Sequence, residues 1–131
     1  MQVLEISRRL WRPGYFAIAV AFLIAVGSLM PAEDAGSLPG SDLAHHVFAY
    51  FLLSLFAVLA VTGRLNTGVA LMGAMALGVS LELIQPLVGR VSDFHDVMAN
   101  AAGVVAGLAA ATGFRHVQQR LSHRQWSHGW D

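Results

Sequence analysis

Ionisable and amide side chains gather at one end of three apolar, helix-length segments of this chain. Asp42, His46 and Tyr50 open one segment, Glu82 and Gln85 close the next, and Asp96 and Asn100 open the last, with Arg90 in the loop between. A charged group at membrane depth costs about 2.5–3.5 kcal/mol or more unless it is paired or hydrated, so such groups are functional candidates by default. His46 or Glu82 has the chemistry of a general base, and Arg90 that of a cation that stabilises developing negative charge. Tyr50, Gln85 and Asn100 supply hydrogen bonds.

Spacing decides which of these groups can meet. At about 100° per residue, Asp42, His46 and Tyr50 drift by only about 40° per step and descend one helix face. Asp96, Asn100, Gly103 and Gly107 fall within about 60°, which sets two polar groups above two glycines. Glycines four residues apart let helix backbones approach closely in lipid, so Gly103 and Gly107 mark a helix-packing seam. Each polar group also has a plainer role. Asp42 and Asp93, beside Ser41 and Ser92, suit helix capping, and His46 suits a hydrogen bond to Asp96 or Asn100 across a helix interface. Glu82 and Gln85 lie too far inside their helix to cap it.

The elements that must carry these residues follow from composition. The chain has 131 residues, 56% hydrophobic and only 12% charged, too apolar for a soluble domain of this length. It reads as an all-α integral membrane bundle of four transmembrane helices, expected at about 14–30, 43–62, 68–88 and 96–114, each near the 20 residues that cross about 30 Å of hydrocarbon. One four-span domain over 1–114 precedes a basic tail, 115–131, that contains His and Trp. The first span follows Arg8, Arg9 and Arg12 as a secretory signal would. With no clear cleavage site near Ala32 or Ala35 and three more spans behind it, it reads as a retained helix.

Orientation follows from the arginines. Arg8, Arg9, Arg12, Arg64, Arg115, Arg120 and Arg124 lie at the termini or the second connection; against Glu5 and Asp131 they leave that face at +5. The opposite face has Arg90 against Glu33, Asp34, Asp42, Glu82, Asp93 and Asp96, or −5. Positive flanks stay inside, so both termini are expected in the cytoplasm and the polar cluster at the exterior or periplasmic surface. Trp126 and Trp130 suit either a tail resting on the inner membrane surface or a loose one. The zero net charge gives no sign of nucleic-acid binding.

Pro86 lacks a backbone N–H, so a helix continuing through it would leave the carbonyl of Glu82 without its usual partner, within reach of Arg90. Arg90 is on this reading the organising cation of the cluster. The absence of cysteine excludes disulfides and thiolate chemistry. His45, His46, Glu82, Asp93, His95 and Asp96 are ligand types but form no short signature, and adjacent histidines point about 100° apart on a helix; no metal or other cofactor is expected.

The ordered set Asp42-Leu-Ala-His-His46-Val-Phe-Ala-Tyr50, Glu82-Leu-Ile-Gln85, Gly89-Arg90 and Asp96-Val-Met-Ala-Asn100-Ala-Ala-Gly103 resembles the VanZ-like family of small membrane proteins, over about residues 28–107. The family commonly has Lys after the first Asp, where this chain has Leu43. The resemblance implies an envelope role and a link to resistance against teicoplanin, a lipoglycopeptide, without implying a reaction. The expected function is binding of a lipid headgroup, a lipid-linked envelope precursor or a partner protein by Asp42, His46, Tyr50, Glu82, Gln85, Arg90, Asp96 and Asn100. The alternative is a membrane enzyme acting on a lipid-linked substrate through His46 and Glu82, although no nucleophile motif accompanies them. Transport would require polar residues continuing to the other face, and one copy lacks them.

Overall fold

The computed structural model describes residues 2–30 and 42–127, with side chains described for 12–30 and 42–122. Glu33, Asp34 and Ser41, and the side chains of Glu5, Arg8, Arg9, His123, Arg124, Trp126, Trp130 and Asp131, lie outside the described residues. The described chain is four helices: α1 (Gln2–Leu29), α2 (Asp42–Ala60), α3 (Arg64–Ile84) and α4 (Phe94–Ser127), with a 3-10 turn over Gln85–Val88 directly after α3. All four are long and apolar enough to cross a membrane.

Length matches the solvent that the composition calls for. The 19 residues of α2, at about 1.5 Å each, reach about 28 Å, close to the thickness of a hydrocarbon core. With no water in that core, each segment must satisfy its own backbone groups, which an apolar helix does internally. The 34 residues of α4 reach about 50 Å, so the apolar span and the basic segment after Phe114 are one continuous helix.

The helices alternate in direction. Phe16 of α1 stacks on Phe56 of α2, while Arg90, just after the 3-10 turn, reaches the Gly27 carbonyl near the far end of α1. The parallel pair α2 and α4 makes the most extensive contact in the bundle. That contact depends on glycine. A Cβ on Gly103 would fall on the Val47 carbonyl and stand 2.9 Å from the Phe51 nitrogen; one on Gly107 would strike the Ser54 hydroxyl and the Phe51 carbonyl. Both glycines are buried, so the Gly103-x-x-x-Gly107 seam is a close backbone approach of α4 to α2. Ser54, fully buried in this seam, donates to the carbonyls of Val104 and Phe51, both at 3.2 Å.

Between the helices lies a small apolar core of Ile24, Leu53, Ala74, Leu81 and Val104 with the ring of Tyr50. Outside, large apolar side chains including Phe16, Phe22, Phe48, Met72, Leu83 and Val105 are exposed. An apolar exterior around a thin core is the arrangement that lipid favours, since contact with acyl chains carries no hydrophobic penalty. At the end of α2, the Arg115 guanidinium donates to the Val58 and Val61 carbonyls, among the last carbonyls of the helix end, where Val58 also accepts from the Val61 N–H at 3.3 Å. A cation there also complements the negative end of the helix dipole.

Pro86 ends α3 by tightening it. The 3-10 turn begins at Gln85, and Gly89, in the left-handed region at φ 77°, closes it, with the Arg90 N–H bonded to the Gln85 carbonyl at 3.1 Å. The chain therefore leaves α3 at Pro86 rather than continuing as an α-helix, as missing N–H groups and left-handed glycines dictate.

Gly107→Ala should lower stability by about 1–3 kcal/mol, the usual effect of overpacking. Gly73→Ala should not, because its added Cβ meets nothing within 4 Å. Thermal unfolding of both variants in one lipid environment checks this; equal melting temperatures would refute the seam.

Candidate functional site

His46 sits one turn into α2, where the glycine seam brings α4 within side-chain reach. Its Nδ1 lies 2.9 Å from Asn100 Oδ1, and its Nε2 lies 3.5 Å from Asp96 Oδ2. Asp96 and Asn100 are one turn apart on α4, so a single imidazole bridges them. Since an amide oxygen only accepts, Nδ1 carries the proton, and Nε2 is the nitrogen turned towards the carboxylate. Asn100 is 1% exposed, whereas the side chains of His46 and Asp96 keep 14% and 16%, so the accessible part of the cluster is the His46–Asp96 edge.

Glu82 approaches from α3. It is buried, and its Oε2 accepts from the Asp93 backbone N–H at 3.3 Å. The ligand-type atoms of His46, Glu82 and Asp96 all lie within 4.8 Å of one another. Two carboxylates tolerate this proximity partly because both stand at the start of α4, whose free N–H groups and dipole favour negative charge. Asp93 supplies the cap: its Oδ1 accepts from the His95 backbone N–H at 2.9 Å and lies 2.8 Å from His95 Nδ1.

Beneath this edge lie the groups most fully enclosed. Tyr50 is 1% exposed and Gln85 2%. A Cβ at Gly78 would stand 2.9 Å from Asn100 Nδ2 and 3.0 Å from the Tyr50 hydroxyl, so both polar ends rest against the bare backbone of Gly78. Gln85, three residues after Glu82 and on the same side of the helix end, is buried with no hydrogen-bond partner for Oε1 among the described residues. Most buried side-chain acceptors have one, which makes this atom an exception requiring a cause.

Of the eight residues singled out in the sequence, His46, Glu82, Asp96 and Asn100 converge directly, Tyr50 meets Asn100 over Gly78, and Gln85 is buried at the end of α3. Asp42 is exposed at the first residue of α2. In the parallel register that sets His46 beside Asp96 and Asn100, Asp42 stands level with the start of α4, at the rim. Arg90 donates from its guanidinium to the Gly27 carbonyl at 3.5 Å, and its charge also acts on Glu82 without direct contact. Among the described residues the ion-pair contacts are His46–Asp96 and His95–Asp93, neither with an arginine. The cluster thus joins two carboxylates to one imidazole.

Gly78 and Ser54 are structural partners of this site whose importance single spacings do not reveal. Gly78 precedes Glu82 by four residues, so its face was readable, but Tyr50 and Asn100 arrive from other helices. No family model, curated protein or solved structure matches the chain.

A double-mutant cycle on His46→Ala and Asn100→Ala should return a coupling of about 0.6 kcal/mol, at most about 1.7, the range of hydrogen bonds between membrane helices. Strict additivity would show that the pair is not in contact. In the connecting segment, hydrogen bonds from the His95 backbone N–H and then its side chain hold the Asp93 carboxyl below its ordinary 3.8. The lowered pKa places its stabilising effect above the ordinary value, and the effect is lost as pH falls through the lowered one. Asp93→Asn should therefore flatten the acid limb of the stability–pH curve below about pH 4; a superimposable curve would contradict the cap.

Proposed function

We propose that this chain is a VanZ-like cell-envelope protein of the cytoplasmic membrane that binds the polar headgroup of a lipid or lipid-linked envelope precursor. Its polar cluster then faces the exterior or periplasm and both termini face the cytoplasm, the orientation favoured by the arginine distribution. The supporting observation is the convergence of His46, Glu82, Asp96 and Asn100 from three helices at one end of an otherwise apolar bundle. A scaffold needs no such concentration of charge, and intramembrane ionisable groups that face a bundle interior commonly mark ligand paths. The membrane interface is where a headgroup would meet the half-buried His46–Asp96 edge while its chains stay in lipid. The VanZ-like resemblance adds a connection to teicoplanin-type glycopeptide resistance, because that drug acts at the same outer surface.

Binding fits better than catalysis because no nucleophile motif accompanies His46 and Glu82 in the sequence. One observation favours acid–base chemistry as the second reading: Asn100 fixes Nδ1 and leaves Nε2 as the basic nitrogen beside a carboxylate. Turnover of a lipid-linked substrate that vanished in both His46→Ala and Glu82→Ala would move the function to that reading.

Native mass spectrometry of the purified protein with phosphatidylglycerol and a polyprenyl phosphate tests the binding reading. One retained phosphate-bearing lipid per chain is expected, with retention falling at least tenfold in His46→Ala while thermal stability stays within a few degrees. Retention equal in wild type and variant would remove the proposal.

A further inference from the structure

The acid excess at the head of α4 contrasts with a phosphate-bearing ligand. Two carboxylates and one imidazole meet where no described arginine comes within ion-pair distance. We infer that His46, Glu82 and Asp96 form a seat for one divalent transition cation of zinc's class, which gives the cluster its affinity for an anionic headgroup. This rests on reading the cluster as a binding site and names the chemistry by which it binds.

Three features of the geometry converge on a cation. First, the donor set is right in type: one imidazole nitrogen and two carboxylate oxygens, from three different helices, is a combination zinc accepts, with a fourth position left for ligand or water. The 3.5 Å between His46 Nε2 and Asp96 Oδ2 is already near the edge, about 3.3 Å, of a tetrahedron with bonds of about 2.0–2.1 Å. All three ligand atoms lie within 4.8 Å, so a side-chain movement of about an ångström brings Glu82 to the same centre.

Second, the imidazole is oriented as metal-bound histidines are. Such a histidine donates its other N–H to a fixed acceptor, which sets the tautomer and leaves a lone pair on the metal side. Asn100 Oδ1 is that acceptor at 2.9 Å, and Asn100 is itself held in a fully buried position against Gly78.

Third, the buried Oε1 of Gln85 has no hydrogen-bond partner among the described residues. Gln85 follows Glu82 by three residues across the junction of α3 and the 3-10 turn, with helical backbone angles, and so faces the same side. A neutral amide oxygen with spare lone pairs, 2% exposed and on the same side of the helix end as Glu82, is an acceptor that a cation or its bound water would satisfy. The cation also relieves the repulsion between Glu82 and Asp96 and presents a positive centre at the accessible edge, where a phosphate oxygen fits as an outer ligand.

The test uses the full chain in nanodiscs, stripped with EDTA and re-equilibrated with zinc chloride, with bound metal counted by mass spectrometry and thermal unfolding followed in parallel. One zinc per chain is expected in wild type, with a melting temperature that rises with free zinc, since a ligand of the folded state alone stabilises it. Glu82→Gln and Asp96→Asn, which keep side-chain shape, should each weaken zinc binding by at least tenfold and abolish the rise, and Asn100→Ala should weaken it by about 10–100-fold through the imidazole. His95→Asn, at the exposed Asp93–His95 pair, should bind as wild type does.

Wild type that takes up no stoichiometric zinc, or zinc uptake unchanged in both Glu82→Gln and Asp96→Asn, overturns the inference without reference to any variant's folding. Retention of the polyprenyl phosphate by metal-free protein, undiminished, also overturns it while leaving the headgroup reading intact. Stoichiometric zinc without lipid retention upholds the metal seat and removes the headgroup reading.

Discussion

The arrangement depends on how closely α4 approaches α2. Gly103 and Gly107 present bare backbone to Val47, Phe51 and Ser54, and no larger residue fits there. That approach sets the parallel register in which His46 meets both Asp96 and Asn100, and it buries the Ser54 hydroxyl against the Val104 carbonyl. In lipid there is little hydrophobic drive between helices, so van der Waals contact at small residues and hydrogen bonds across the seam must define the pairing. The seam and the polar cluster are therefore two parts of one interface: glycines shape its middle and polar side chains fix its end.

Packing of α3 completes the cluster by a different device. Gly78 gives Tyr50 and Asn100 a surface to rest on, and one turn later Glu82 reaches the Asp93 N–H at the head of α4. A carboxylate from a neighbouring helix satisfies a backbone donor where the chain enters α4, while Asp93 caps the helix itself. Pro86 and Gly89 make this possible by stopping α3 in a tight turn, after which four residues lead into α4. Charge is concentrated where the helix dipole and free N–H groups best tolerate it. The same concentration leaves a local acid excess that a bound cation would neutralise.

Much of the site was legible because helical periodicity is rigid. Four-residue steps placed His46 and Tyr50 on one face, and Asp96 and Asn100 above Gly103 and Gly107. Asp42 obeys the same periodicity yet stays exposed, because α4 begins level with it and offers nothing beyond to cover it. For Arg90, proximity in sequence to many carboxylates says little about direction: after the turn at Gly89 its guanidinium reaches the Gly27 carbonyl of α1. A mid-helix serine such as Ser54 carries no signal of its partner in its spacing, and only the neighbouring helix shows that its hydroxyl bridges to Val104.

By itself the sequence determined that the chain is all-helical, that it has four segments of membrane length, and which residues share a face. Those properties follow from composition and from the 3.6-residue turn, both local to each segment. Tertiary structure decided which faces meet. It chose α2 and α4 as the close pair, brought Glu82 to the head of a helix that begins 12 residues later, and gathered His46, Glu82 and Asp96 within 4.8 Å although they are dispersed over three segments. No ligand signature announces that set, because a short motif encodes convergence only when its residues share one element, and here each comes from a different helix.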